Sequence, residues 1–307
     1  MNRRTFFISF YGFVGLSACN SYGLISRPSK SAKIRFGLIT DLHYAKRLTA
    51  GSRYYEQSVN KLRVAMKIFN ESGLDFVVEL GDFKDIGNTK EQSLSFLEEI
   101  EAEFKKFRGP IYHVLGNHDM DNISKTDFLK HTENDGDSKG KAYYSFLRNG
   151  LKFIVLDANY NADGSDYDSG NFDWKEAYIP QAQLEWLSEE LSTEQPVIVF
   201  LHQLLDLTQE QHYVCVNNAL EVIDLLEKSN RVLAVFQGHH HSGSYHFSNG
   251  IHYFTLKGMI EGAFPANNSF AIVEIDNSLN ISIDQFYNDE NKHLRCPRHL
   301  IGYENIR

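Results

Sequence analysis

The chain has 307 residues, of which 42% are hydrophobic and 23% are charged, as in ordinary globular proteins. This composition excludes fibrous and wholly disordered proteins, and the length allows one large domain or two small ones. The net charge is −9 and no block of lysine and arginine residues occurs, so a broad surface for binding nucleic acid is not expected.

The first twenty residues have the pattern of an export signal rather than of a folded segment. Two arginines at positions 3 and 4 precede an apolar run over residues 6–16, and LSAC at 16–19 ends in Cys19. This pattern resembles a bacterial lipoprotein signal, which implies a signal peptide over residues 1–18 and a lipid-modified Cys19. We therefore expect export and lipid anchoring to the bacterial cell envelope, on the periplasmic side or at the outer membrane. The alternative, an uncleaved anchor helix, is disfavoured because the run is short.

After a polar linker at residues 19–32, predicted strands and helices alternate through a domain at residues 33–290, followed by a C-terminal tail at 291–307. The early strand-helix alternation indicates parallel βαβ units, and the late succession of strands indicates antiparallel pairing. We therefore expect an α/β fold with two sheets in one domain and helices outside. The predicted strands are 34–40, 76–80, 111–115, 151–157, 196–202, 231–238, 251–257, 270–275 and 281–287, and the predicted helices are 56–71, 90–107, 181–192 and 216–228.

One long loop, at residues 158–180, is acidic, aromatic and rich in glycine. Loops of this length are usually functional or disordered. The segment is therefore either a lid that faces the substrate or a solvated insertion.

Two cysteines follow the signal, Cys215 and Cys296, and neither has the spacing of a metal-binding cysteine pair. An oxidising compartment would allow them to pair, and the sequence leaves this open.

Side chains able to bind metal follow five of the predicted strands. Because sites in open α/β sheets lie beyond the carboxyl ends of strands, we expect these side chains to converge. Carboxylate and amide oxygens with imidazole nitrogens suit manganese, iron, zinc or cobalt. Seven potential ligands are too many for one tetrahedral ion but fit two divalent ions that share a carboxylate. They are Asp41 and His43 in DLH, Asp82 in GDFKD, Asn117 in GNHD, His202, and His239 and His241 in GHHH.

In this order, the motifs D-x-H, G-D-x-x-D, G-N-H-D, a single histidine and G-H-x-H resemble the calcineurin-like metallophosphoesterases. The ordered set, within residues 34–241, is far more specific than any one motif. The resemblance implies a four-layer α/β/β/α sandwich of two mixed sheets flanked by helices. It also implies that Asp41, His43, Asp82 and His241 bind one ion, and that Asp82 bridges to a second ion completed by Asn117, His202 and His239. His240 is expected to be a turn residue near the pocket.

The resemblance further implies how the site hydrolyses a phosphoester. Two ions acidify a water molecule that attacks phosphorus, and they neutralise charge on the phosphoryl oxygens. His118 is expected to protonate the leaving oxygen, and Asp119, next in sequence, to orient its ring. Asp85 is expected to support a neighbouring ligand. For Asp119 and Asp85, a turn cap is the alternative.

Four further stretches, at residues 36–62, 143–160, 183–187 and 250–262, resemble the manganese-dependent ADP-ribose/CDP-alcohol diphosphatase group. This implies a small nucleotide-like substrate and manganese as the first choice of metal. Members of that group tend to carry glutamine where this chain has His43, which leaves metal preference and substrate open. Three residues are candidates for substrate contact, or alternatively pack at a helix start: Arg53, Tyr54 and Tyr55.

A diphosphate or other diester is therefore the first choice of substrate, and a phosphomonoester or cyclic nucleotide is the second. A nuclease is a weaker alternative because the acidic chain lacks interleaved basic and aromatic stretches. A non-catalytic surface lipoprotein would have lost ligands, and none of the seven is missing. No nucleic-acid polymer is expected as a partner, and the sequence identifies no protein partner.

Overall fold

The computed structural model describes residues 32–205, 207, 212–287 and 290–296. The predicted signal peptide, Cys19, the linker up to residue 31 and the end of the predicted tail lie outside these residues. The elements follow in the order β1 (Ala32–Ile39), α1 (Ser58–Glu71), β2 (Phe76–Glu79), α2 (Lys90–Phe104), β3 (Ile111–His113), α3 (Lys125–His131), β4 (Tyr144–Arg148), β5 (Leu151–Val155), α4 (Gln181–Leu191), β6 (Val197–Phe200), α5 (Ala219–Ser229), β7 (Val232–Gln237), β8 (Ser242–Ser248), β9 (Ile251–Lys257), β10 (Ser269–Asp276), β11 (Ile281–Tyr287) and β12 (Glu290–Cys296).

The described strands form two six-stranded mixed sheets. The first has the order β12-β11-β10-β1-β2-β3, in which β1, β2 and β3 are parallel and the other neighbours are antiparallel. The second has the order β4-β5-β6-β7-β9-β8, with β5, β6, β7 and β9 parallel and an antiparallel strand at each edge. The parallel strands, at one side of the first sheet and in the middle of the second, therefore point their carboxyl ends toward loops that can build a site.

Aromatic side chains between the two sheets form the central core. Phe36 of β1 stacks on Phe76 of β2 at 5.0 Å and meets the edges of Phe153, Phe200 and Phe236 of the second sheet, each at 5.8 Å between ring centroids. Because side chains alternate across a strand, the residues between these face outward. The sheets thus need helices on both outer faces.

The α-helices in the described residues supply those covers with apolar stripes at helical spacing. Helix α1 packs Leu62 and Phe69 against the outer face of the first sheet, together with α2. Helices α4 and α5 cover the second sheet through residues such as Leu187 and Val222. The predicted four-layer α/β/β/α sandwich is confirmed.

Two strands missed by sequence patterning belong to Asn-Gly hairpins. Asn149 and Gly150 join β4 to β5, and Asn249 and Gly250 join β8 to β9. All four have positive φ, at 50°, 72°, 45° and 86°. These are the conformations that two-residue type I′ hairpin turns require, so the Asn-Gly pairs are the sequence signal for both strands. Helix α3 was also missed, because its seven residues are too few for a clear apolar period.

The domain continues past its predicted end at residue 290. Strand β12 pairs with β11, with Glu290 opposite Tyr287 and Cys296 opposite Ile281. The prediction of a tail is therefore corrected over residues 291–296, where a polar sequence forms an edge strand without an alternating apolar pattern. Of the helices in the described chain, none combines the length and apolar composition that crossing a membrane requires.

Candidate metal centre and active-site pocket

The predicted ligands lie on tight turns that follow five strands, β1, β2, β3, β6 and β7. Four of these ligands have left-handed backbone conformations, with φ of 51° at Asp41, 44° at His43, 56° at Asp82 and 64° at His239. Such conformations cost about 1–3 kcal/mol each in residues other than glycine and persist only where the surroundings enforce them. The turns are tied together by backbone hydrogen bonds, including His43 N to Asp82 O at 2.8 Å.

Glycine lets two of these turns approach each other closely. A Cβ at Gly116 would lie 2.0 Å from the backbone nitrogen of Asp82, and one at Gly81 would lie 2.6 Å from Nδ1 of His202. Neither distance is possible for a real side chain, so the glycines of the GD and GNHD motifs are required for packing one turn on the other.

The first group of side chains gathers around Asp41. Its Oδ1 lies 3.3 Å from Nε2 of His241, which in turn lies 3.2 Å from Nε2 of His43. The same His43 nitrogen lies 3.5 Å from Oδ2 of Asp82. Each side chain therefore directs one donor atom toward a common point, as metal ligands do.

The second group shares Asp82 with the first. Oδ2 of Asp82 lies 3.2 Å from Nε2 of His202, and that nitrogen lies 3.2 Å from Nδ1 of His239. The other carboxylate oxygen, Oδ1, accepts a hydrogen bond from the backbone N–H of His118 at 2.8 Å. One oxygen of Asp82 is thus fixed by the backbone, and the other lies between the two groups.

Two buried oxygens in the cluster have no hydrogen-bond partner: Oδ1 of Asp41 and Oδ1 of Asn117. Both residues are at most 1% exposed. A buried carboxylate or amide oxygen without a donor is costly, whereas a bound cation satisfies it directly. The residues present therefore fit a pair of divalent cations.

Three of the histidines are held from behind by hydrogen-bond acceptors. Nδ1 of His43 donates to Oδ2 of Asp85 at 3.1 Å, Nδ1 of His202 donates to the carbonyl of Leu80 at 2.8 Å, and Nδ1 of His241 donates to Oε1 of Glu261 at 2.7 Å. Because Nδ1 is bound to these acceptors, Nε2 of each ring faces the cluster, where a bound cation would replace its proton. The contact of Asp85 agrees with its expected supporting role.

Opposing effects separate the pKa values of neighbouring groups. Burial opposes the charged form of His202, but Asp82 and Asp41 raise its pKa to about 10. Burial and the charge of His202 lower the pKa of His239 to about 3. Despite burial, the surrounding histidines hold the pKa of Asp82 well below its usual range. The bridging carboxylate is therefore ionised, as cation binding requires.

His118 lies in the pocket, but its partner is not the predicted one. Nδ1 of His118 donates to Oδ2 of Asp121 at 2.7 Å. Asp119 is fully buried and instead accepts backbone N–H bonds, from Phe83 at 2.9 Å and Gly116 at 2.9 Å among others. The expectation that Asp119 orients His118 is wrong, because the turn directs Asp119 inward, where it ties two motifs together, while the residue three positions along the 3₁₀ turn faces the ring.

Five of the seven predicted ligands, His43, Asp82, Asn117, His239 and His241, line a cavity of about 400 Å³. Of the three candidates for substrate contact, Arg53 lines the cavity, whereas Tyr54 and Tyr55 are not among its lining residues. Tyr55 is buried in the core, 5% exposed, so the alternative of packing at a helix start applies to it. Its ring also receives the guanidinium of Arg47 at 4.3 Å.

The pocket and supporting residues that were not predicted include Trp174, Tyr213, Glu261 and Asp121. Trp174 comes from the loop at 158–180, and its ring centroid lies 5.6 Å from that of His239 and 5.6 Å from that of Tyr213. The loop therefore supplies a wall of the pocket. No local motif marks these residues, since each reaches the site only through the path of a loop.

Several known proteins are similar to this chain in sequence or in fold. A sequence profile described as calcineurin-like phosphoesterase matches residues 34–243. A protein of Arabidopsis thaliana named manganese-dependent ADP-ribose/CDP-alcohol diphosphatase is 28% identical over 289 residues, covering 80% of this chain and 92% of the relative. One of Oryza sativa subsp. japonica with the same name is 27% identical, covering 82% and 91%.

The crystal structure of a dimetal phosphatase from Danio rerio superposes with a TM-score of 0.74 at 21% identity, covering 87% of this chain and 100% of that one. This likeness supports the fold, and the profile match spans more than two thirds of the sequence. The chain therefore belongs to the calcineurin-like phosphoesterase family.

Proposed function

We propose that this protein uses two divalent metal ions to hydrolyse a diphosphate or diester bond in a small nucleotide-like substrate of the ADP-ribose or CDP-alcohol type. One observation carries the proposal: an oxygen of Asp82 lies between two groups of ligand atoms at a polar cavity. The names of the plant relatives support the substrate class and make manganese the first choice of metal. Iron, zinc and cobalt suit the same donors.

The proposed ligands divide into two sets for the two ions. One ion would be held by Asp41, His43, Asp82 and His241, and the other by Asp82, Asn117, His202 and His239. When bound, such a pair activates a water molecule for attack on phosphorus and neutralises charge on the phosphoryl oxygens.

His118 is the proton donor in this proposal. Asp121 holds Nδ1, so Nε2 is the atom that gives a proton to the leaving oxygen. The ring is 31% exposed and lines the cavity, which leaves it accessible to a substrate.

The wall above the ligands has features that suit a nucleotide. Arg53 offers a guanidinium to a phosphate, and its Nε lies 3.9 Å from Glu261, which holds it at the cavity. Trp174 and Tyr213 provide aromatic faces on which a base can stack. Phosphate and base would thus contact separate parts of one cavity.

A hydrolysis panel tests the proposal. The chain lacking residues 1–19 is stripped with a chelator, reloaded separately with manganese, iron, zinc or cobalt, and given ADP-ribose, CDP-choline, cyclic nucleotides and aryl phosphates. We expect ADP-ribose or CDP-choline to be the best substrate with manganese, and no turnover in Asp82→Ala. The exposed Asp163→Ala serves as the matched control. Hydrolysis of aryl monoesters alone would reject the diphosphatase assignment.

We also propose that the protein is exported and anchored to the cell envelope by lipid on Cys19. The support is the sequence pattern of residues 1–19. Expression of the full chain in a bacterium with labelled palmitate should give a labelled membrane protein, and Cys19→Ser should remove the label. Unlabelled wild-type protein would contradict the anchor.

A further inference from the structure

The segment Gly258–Gly262, which follows β9, forms the back of the metal centre. Ile260 donates its backbone N–H to the carbonyl of Asp41 at 2.9 Å, and Gly258 donates to the carbonyl of His241 at 3.0 Å. A Cβ at Gly258 would lie 2.8 Å from the ring of His241. The segment therefore contacts two of the proposed ligands directly.

Glu261 connects this segment to both the metal centre and the substrate pocket. Its Oε1 accepts the hydrogen bond from Nδ1 of His241 at 2.7 Å and lies 3.9 Å from Nε of Arg53. Its side chain is 22% exposed and lines the cavity. The carboxylate of Glu261 thus orients both His241, a proposed metal ligand, and Arg53, the proposed phosphate-binding residue.

A buried lysine holds the segment from the opposite side. Lys61 of α1 is 0% exposed, and its Nζ donates to the carbonyls of Met259 at 2.8 Å, Glu261 at 2.9 Å and Gly262 at 2.6 Å. An ammonium has three donors, so all three of them go to this one segment. Three convergent carbonyl dipoles repel one another unless a positive charge lies between them. The lysine charge therefore fixes the shape of the segment.

We propose that Lys61 is a positioning residue of the phosphoesterase site, because its ammonium fixes the segment so that Glu261 holds His241 and Arg53 in place together. For its effect on catalysis this inference rests on the proposed function. Packing of α1 alone does not require a charged residue at position 61, since the neighbouring Leu62 and Ala65 are apolar and fully buried. The charge is accounted for by the three carbonyls rather than by helix packing.

The test compares Lys61→Met with a matched control, Lys152→Met. Lys152 lies at the start of β5, away from the turns that carry the ligands, and forms an ion pair with Glu190 of α4. Manganese affinity is measured by calorimetry on the chelator-stripped chain, and kcat and KM are measured separately. For Lys61→Met we expect the native circular dichroism spectrum, manganese affinity lower by about 10- to 100-fold, and a raised KM. The control should match the wild type.

A double variant separates positioning from general packing. If Lys61 acts through Glu261, then Lys61→Met with Glu261→Ala should lose about as much manganese affinity as Glu261→Ala alone. Additive losses, or a folded Lys61→Met with wild-type affinity and KM, would overturn the role of Lys61. If Lys61→Met does not fold, Glu261→Ala decides: unchanged affinity and KM overturn the inference. Failure of the proposed function is distinguishable, because the wild type would then bind no manganese or hydrolyse none of the panel.

Discussion

The contact between His118 and Asp121 leads to a prediction about the leaving group. Asp121→Asn keeps the shape of the partner but removes its charge from a 2.7 Å hydrogen bond in which the side chains are 31% and 18% exposed. Hydrogen bonds to charged groups contribute about 1.5–3 kcal/mol. At about 1.4 kcal/mol per factor of ten, turnover should fall about 10- to 100-fold. Removal of the whole imidazole in His118→Ala should lower turnover about 10²- to 10⁴-fold.

The assay uses nucleoside 5′-phosphate esters that differ only in their leaving group. A p-nitrophenolate leaves without protonation, whereas an ethoxide needs a proton in the transition state. The losses in Asp121→Asn and His118→Ala should therefore be large for the ethyl ester and much smaller for the p-nitrophenyl ester. Asp163→Asn, on an exposed loop carboxylate, should behave as wild type with both. Equal losses with both esters would refute the assignment of His118 as proton donor.

Three further predictions test the core, the turns and a buried charge cluster. Phe36→Ala should lower the free energy of unfolding by about 3–5 kcal/mol in urea denaturation, because its fully buried ring contacts four others, and a loss below about 1 kcal/mol would contradict this packing. Gly116→Ala should reduce turnover about 100-fold or more, since the added Cβ would displace the backbone of Asp82. Wild-type kinetics would show that the two turns can move apart without loss of activity. Burial opposes the charged form of His113, but Glu101 and Glu79 raise its pKa from 6.5 to about 10. The charged imidazole therefore stabilises the folded state fully below pH 6.5, and this contribution is lost as the pH rises toward 10. In urea denaturation from pH 6 to 10, the free energy of unfolding should fall with pH in the wild type and fall less steeply in His113→Gln. Identical slopes would show that a charged His113 does not stabilise the fold.

Much of the fold was predictable because it depends on local patterns. Strands β9 and β11 coincide with the predicted runs at 251–257 and 281–287, and α1 and α4 lie within two residues of theirs. Of the four edge strands of the described sheets, β3 was predicted and β4, β8 and β12 were missed. Strand β8 has the polar sequence SGSYHFS, and its pairing with β9, rather than its own pattern, makes it a strand. An edge position imposes no alternation that a sequence could show.

The proposed ligand residues could be named from the sequence because each lies within a few positions of a strand end, where chain direction alone carries it to the sheet edge. Their partners could not. Asp121 replaced Asp119 as the partner of His118 because a 3₁₀ turn rotates adjacent side chains apart. Glu261 contacts His241 from twenty positions away.

The sequence by itself determined the order of elements and the chemistry of the donor atoms, since both depend on residue type and short spacing. Tertiary structure alone decided which acceptor holds each imidazole, which aromatic rings form the wall, and that the ammonium of Lys61 meets three carbonyls some 200 positions away. The physical reason is that such contacts arise when separate layers pack, and their geometry depends on how closely whole strands and helices approach one another.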